Sequence, residues 1–171
     1  MKLIIINGTA GVGKSTLAEK LHELLPLSFL VNVDAQRRFI SQYREQAKES
    51  SDLAFEVSIA ITEACLRSKR DVIVDKMIWN INSTLDTLDE LGEKYGAEVH
   101  EIILEASKET VVKRVEGRGY KPGGLLTPEK VDRFWEETQK LKHERPNALV
   151  IQTDELTADQ VFEKVKSVVL K

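Results

Sequence analysis

Gly8-Thr9-Ala10-Gly11-Val12-Gly13-Lys14-Ser15-Thr16 is the stretch on which the fold turns. It satisfies G-x-x-x-x-G-K-[ST] at every fixed position. Average residue usage makes a chance match in a chain this long roughly 1 in 200. Glycines at these positions leave backbone N–H groups free to curl round an anion. A helix opening at Lys14 adds unpaired N–H groups and the positive end of its dipole. Lys14 supplies a charge to the outer phosphates of a nucleoside triphosphate, and the Ser15 hydroxyl is placed to ligate Mg²⁺. The whole run, 8–16, is expected to line the nucleotide.

The motif demands a strand before it and a helix after it, and the sequence supplies both. Residues 3–6 (Leu-Ile-Ile-Ile) are a continuous apolar run of the kind buried on both faces of a parallel sheet. Residues 14–25 place Leu17, Leu21, Leu24 and Leu25 on one helical face, with Pro26 as the stop. Further strands are expected at 29–33, 72–74, 99–104 and 149–151. The helices between them are expected at 53–67, about 83–94, 108–116 and from 128 onward, with a last helix after Thr157. In 53–67, Leu53, Val57, Ile61, Ala64 and Cys65 fall at helical spacing. Ser107 reads as an N-cap, Thr127-Pro128 as a helix start, and Thr157-x-x-Gln160 as a capping box whose helix turns Val161, Val165 and Val168 inward. Strand alternating with helix predicts an α/β protein: one domain over 1–171, a mostly parallel sheet and helices on both faces.

Composition agrees. The 171 residues are 42% hydrophobic and 31% charged, which excludes a disordered or low-complexity chain. No apolar run reaches membrane-spanning length, and none at the start resembles a signal segment. A single cysteine, Cys65, cannot pair within the chain, so a reducing compartment, the cytoplasm, is the expected location. The net charge of −3 supplies no broad basic field for nucleic acid. No exposed heptad points to an obligate protein partner.

Parallel α/β sheets bind ligands at the carboxyl ends of their strands. The residues there are Asp34 and Arg37 after the second strand, and Asp75, Lys76 and Trp79 after the third. Asp34 is either the N-cap of a helix starting at 35 or a base that takes a proton from an attacking hydroxyl. Arg37 is expected to hold an anionic group of the acceptor, and the acceptor-binding region is expected over about 35–60. Asp75 is expected either to hold a water on Mg²⁺ or to position Ser15. Trp79 is a candidate wall of the acceptor pocket. Farther on, Lys113, Arg114, Arg118 and Lys121 face only Glu116 around a glycine-rich loop. That pattern suits a lid at about 117–127 carrying cations to a transferring phosphate, from either Arg114 or Arg118. No N-K-x-D element for guanine is present, and the third strand ends in Asp75-Lys76 rather than the Asp-Glu of a mechanical ATPase.

Together these residues resemble the P-loop kinase family, and within it the polynucleotide 5′-kinase, zeta toxin and chloramphenicol phosphotransferase group. The likeness covers roughly residues 1–140 and rests on Gly8–Thr16, Asp34-x-x-Arg37, Val72–Asp75 and Lys113-Arg114…Arg118-Gly119. It implies a three-layer P-loop NTPase fold with strand order 2-3-1-4-5, ATP and Mg²⁺ as cofactors, and phosphate transfer to a hydroxyl. It also implies Asp34 as general base, Arg37 on the acceptor, and a lid arginine on the transferring phosphate. The expected acceptor is a small metabolite, nucleoside or nucleotide, sugar or antibiotic. The alternatives are the 5′ end of a nucleic acid, or a nucleotide-binding protein without catalysis. Where polynucleotide kinases carry Asp-Thr-Asn, this chain has Asp75-Lys76-Met77.

Overall fold

In the computed structural model, which describes residues 1–77, 81–120 and 125–171 (backbone alone at 81–83), strand and helix alternate along the chain. The strands are β1 (Lys2–Asn7), β2 (Phe29–Asn32), β3 (Val72–Asp75), β4 (Glu98–Glu105) and β5 (Leu149–Gln152). They form one sheet in the order β2-β3-β1-β4-β5, each adjacent pair parallel, as the resemblance implied. β1 is central: Ile5 stands beside Val74 of β3 and Glu101 of β4. Residues 3–6 are fully buried, which accounts for a strand with no polar alternation.

The helices are α1 (Lys14–Leu24), α2 (Val33–Arg37), α3 (Ala47–Arg67), α4 (Ile81–Tyr95), α5 (Lys108–Arg118), α6 (Pro128–Glu144) and α7 (Ala158–Val169). The period of two along each strand sorts them into layers. Ile4, Ile6, Ile73, Ile102 and Leu104 pack with Leu17 and Leu21 of α1, Val111 and Val115 of α5, and Val161 and Val165 of α7. Leu3, Ile5, Val72, Val74 and Ile103 face the other way, onto Leu66 of α3 and Leu85, Leu88 and Leu91 of α4. The result is three layers, helix on sheet on helix. The caps at Ser107 and Thr127 form, and the Thr157–Gln160 capping box is complete on both sides.

Several local expectations are corrected. Helix α3 starts at Ala47, and its buried ridge is Ser50, Ala54, Ser58, Thr62 and Leu66, one position round from the apolar residues of the sequence pattern. Leu53 and Val57 are 46% and 42% exposed. Hydroxyls tolerate that burial because they donate to carbonyls one turn back: Ser58 Oγ to Ala54 at 2.7 Å and Thr62 Oγ1 to Ser58 at 2.8 Å. In α7 the third inward valine is Val169, and Val168 is exposed. Helix α2 begins at Val33 with Asn32 as its cap, accepting from the Ala35 N–H, so Asp34 is not the N-cap but lies in the first turn. Helix α5 runs on to Arg118, taking the first two residues assigned to the lid. Trp79 and residues 121–124 lie outside the described residues.

Candidate active site

The turn between β1 and α1 takes its shape from three glycines with positive φ: Gly8 at 134°, Gly11 at 80° and Gly13 at 96°. At Gly8 the constraint is also steric, because a Cβ there would lie 2.1 Å from the Leu104 carbonyl oxygen of β4. Gly8→Ala is therefore expected to lower stability by about 2–3 kcal/mol in urea unfolding. Gly13→Ala meets nothing within 4 Å and carries only the conformational strain, about 1–2 kcal/mol.

Gly13 caps α1 without a side-chain hydrogen bond, and no acidic residue stands in the first turn. The N–H groups that helices usually satisfy with Ser, Thr or Asp are left for an external anion. The Thr9 hydroxyl in the same turn is buried and has no partner among the described residues. Lys14 folds over the turn and donates from Nζ to the Thr9 carbonyl at 2.8 Å. Burial holds the Lys14 ammonium below its ordinary pKa. Asp75 and Asp34 act against that shift, while Lys76 and Arg118 add to it. Four charges from three separate segments thus converge on Lys14.

Ser15 Oγ donates to Asp75 Oδ2 at 2.7 Å, and Asn32 Nδ2 donates to the same oxygen at 3.2 Å. Of the two roles expected of Asp75, this contact corresponds to the positioning of Ser15. An oxygen set of hydroxyl and buried carboxylate, beside an uncapped helix start and an unpartnered hydroxyl, fits a magnesium-bound polyphosphate.

Across the sheet, Asp34 is exposed at the end of β2, and its Oδ1 lies 3.3 Å from Lys76 Nζ. Arg37 does not face outward. Its Nε donates to Ser50 Oγ at 2.9 Å and its Nη2 donates to the Ala47 carbonyl, tying α2 to the first turn of α3.

The two candidate lid arginines differ. Arg118 is exposed at the end of α5. Arg114, one turn earlier, is held flat against the segment after β5: Nη1 donates to Thr153 Oγ1 at 3.0 Å and Nη2 to the Thr153 carbonyl at 2.7 Å. Asp154 pins this corner, accepting from the Ser107 N–H at 3.0 Å and from Ser107 Oγ at 2.6 Å. Hydrogen bonds from the Ser107 and Thr110 hydroxyls hold its carboxyl at about 2, so it stays ionised across the neutral range. Arg114 forms one wall of a cavity of about 220 Å³ with Gly11, Gly13, Thr16, Thr153 and Leu156.

Asn32, Thr153 and the Lys76–Asp34 pair were not singled out from sequence. Asn32 and Thr153 stand at the carboxyl ends of β2 and β5, so strand position is the signal that could have found them.

The family model described as an AAA domain, AAA_33, matches residues 3–146. An adenylate kinase from Streptomyces coelicolor is 31% identical over 126 residues, or 67% of this chain. The chain spans 58% of that relative's length. The tunicamycin resistance protein of Deinococcus radiodurans shares the fold with a TM-score of 0.68 at 22% identity, over 98% of this chain and 95% of its own. So does the deoxyadenosine kinase of M. mycoides, with a TM-score of 0.61 at 18% identity, over 98% of both chains. A glycine turn built round positive φ, a lysine buried in it, a serine fixed by the β3 aspartate and a family match over most of the length agree: the chain belongs to the P-loop kinase family, as a member of AAA_33.

Proposed function

We propose that the protein is an ATP-dependent phosphotransferase that moves the γ-phosphate to a hydroxyl of a small acceptor. The observation that carries this reading is the Ser15–Asp75 bond beside the buried Lys14, with the exposed carboxylate of Asp34 acting on the same ammonium. One end of the cleft is built to hold a triphosphate, and a base without a capping role stands at the other.

In this reading the base of ATP lies in the 220 Å³ cavity against Arg114, and the phosphates lie in the turn 8–16. Lys14 leaves the Thr9 carbonyl for the outer phosphates, and the uncapped N–H groups of α1 bind the inner ones. Ser15 would hold a magnesium ion, with Asp75 orienting that hydroxyl directly or through water, and the ion would supply charge neutralisation to the phosphates. Arg118 neutralises charge on the transferring group, which divides the two arginines into a base-binding and a phosphate-binding role. The acceptor oxygen bonds to the γ-phosphorus as the bond to the β,γ-bridging oxygen breaks. The hydroxyl proton passes to Asp34, and ADP leaves.

Transfer of labelled γ-phosphate across nucleosides, nucleotides, sugars, sugar phosphates, aminoglycoside- and phenicol-type antibiotics and 5′-hydroxyl oligonucleotides tests the reading. Asp34→Ala is expected to keep Mg–ATP binding in calorimetry and to lose about 10²–10³ in turnover on the acceptor found. Undiminished turnover removes Asp34 as the base, and absence of Mg–ATP binding by the wild type removes the whole reading. Transfer confined to oligonucleotides would make the protein a polynucleotide kinase instead.

A further inference from the structure

Two cations, at the ends of β3 and α2, neighbour Asp34 in space or along the chain. Lys76 has only 12% of its side chain exposed, and Asp34, its partner at 3.3 Å, is 72% exposed. An ammonium has three donors. Among the described residues the Asp34 pair uses one, so a cation largely withdrawn from water keeps donors to offer.

Arg38 is the second cation. Helix α2 ends at Arg37, but Arg38 keeps helical angles, φ −69° and ψ −15°. Asp34 and Arg38 are therefore one turn apart on the same face, with Cβ atoms about 5–6 Å apart. The guanidinium of Arg38 has no hydrogen bond or ion pair among the described residues, whereas Arg37 is committed to Ser50 and Ala47. The two neighbouring arginines have divided the work: Arg37 fastens α2 to α3, and Arg38 stands free beside Asp34.

Resting on the kinase reading above, we propose that Arg38 and Lys76 bind a phosphate group carried by the acceptor itself, about one helical turn from the hydroxyl that Asp34 deprotonates. Two cations against one carboxylate leave a net positive charge, which suits a phosphate dianion better than a carboxylate or a neutral alcohol. The acceptor class is thus a small hydroxyl-bearing phosphomonoester. Arg38, not Arg37, is its specificity-determining arginine, with Lys76 bridging the bound phosphate and Asp34.

Inorganic phosphate is the probe. It is titrated by calorimetry into wild-type protein saturated with Mg²⁺ and a non-hydrolysable ATP analogue, and into Lys14→Met protein, whose phosphate turn is disabled. Wild type is expected to bind phosphate with the donor site filled, and acetate at least tenfold more weakly. Arg38→Ala or Lys76→Ala weakens phosphate about tenfold in both backgrounds, and Lys76→Arg keeps it. In turnover, phosphorylated acceptors outrun their dephosphorylated counterparts, and Arg38→Ala raises the acceptor KM while leaving the KM for ATP. Equal phosphate affinity in wild type, Arg38→Ala and Lys76→Ala overturns the proposal, as does preference for the uncharged member of every acceptor pair. Failure of the ATP analogue to bind would instead remove the kinase reading, while the Lys14→Met titration still decides whether Arg38 and Lys76 hold an anion.

Discussion

Lys14→Met is expected to lower phosphate transfer by about 10³-fold and, at the same time, to raise the melting temperature. The two effects have one cause. The ammonium is buried in a turn whose N–H groups are arranged for an anion, and its one hydrogen-bond partner among the described residues is the Thr9 carbonyl. Burial depresses its pKa in spite of Asp75 and Asp34. A lysine with a folded pKa below its unfolded value costs the fold stability at pH below the unfolded pKa, near 10.5, and the cost vanishes above it, where the group is neutral in both states. That cost is present at pH 7. Methionine fills similar space without the charge, so the free protein gains while the bound phosphates lose their cation. Melting temperature read with and without Mg–ATP checks both halves: higher than wild type without ligand, and no further rise with it. A variant that melts lower and still responds to ATP would contradict the argument.

The second large effect lies far from the cleft. Arg145, at the end of α6, reaches three acids on two elements. Nε donates to Glu101 Oε2 at 2.7 Å, Nη1 lies 3.6 Å from Asp86 Oδ1, and Nη2 donates to Asp89 Oδ2. Glu101 sits on β4 with its side chain 9% exposed, and its Oε1 is buried without a hydrogen bond among the described residues. Arg145→Met leaves that carboxylate unpaired in the core and is expected to cost about 3–5 kcal/mol in urea unfolding. Burial raises the Glu101 pKa, and the arginine opposes it. A carboxyl raised above its unfolded value favours the folded state as pH falls toward that value and disfavours it as pH rises. Without Arg145 the rise is larger, so the deficit should be greatest near pH 8 and shrink toward pH 5. Adding Glu101→Gln should recover most of the loss and flatten the pH dependence. A deficit that does not change with pH would assign the effect to lost packing.

These two residues mark the limits of reading such a chain from its sequence. Lys14 was legible because the chemistry of phosphate binding is local: the glycines, the lysine and the serine are contiguous, and strand β1 announces itself by four buried aliphatics. The parallel sheet and its caps were legible for the same reason. Arg145 was not, because its partners are 44, 56 and 59 positions away and no spacing rule connects them. The pattern over 53–67 misled for a different reason. Leu53 and Val57 carry more hydrophobic weight than Ser50, Ala54 and Ser58, yet the helix approaches its neighbours on the smaller side chains. On the acceptor side, Asp34-x-x-Arg37 drew attention to Arg37, and only the packing of α2 on α3 shows that its guanidinium is already engaged with Ser50 and Ala47.

The small-residue ridge of α3 bears on how this scaffold can diversify. Serine, alanine and threonine make a seam with few knobs to interlock; the Ser58 and Thr62 hydroxyls donate to carbonyls one turn back, while Ser50 accepts from Arg37 Nε. Exchanging Ala54 and Thr62 for residues of the same small set displaces nothing bulky, so in the proposed kinase this wall can shift while β1, the glycine turn and α1 stay fixed. Such a division lets the engine be inherited intact while the choice of cargo drifts.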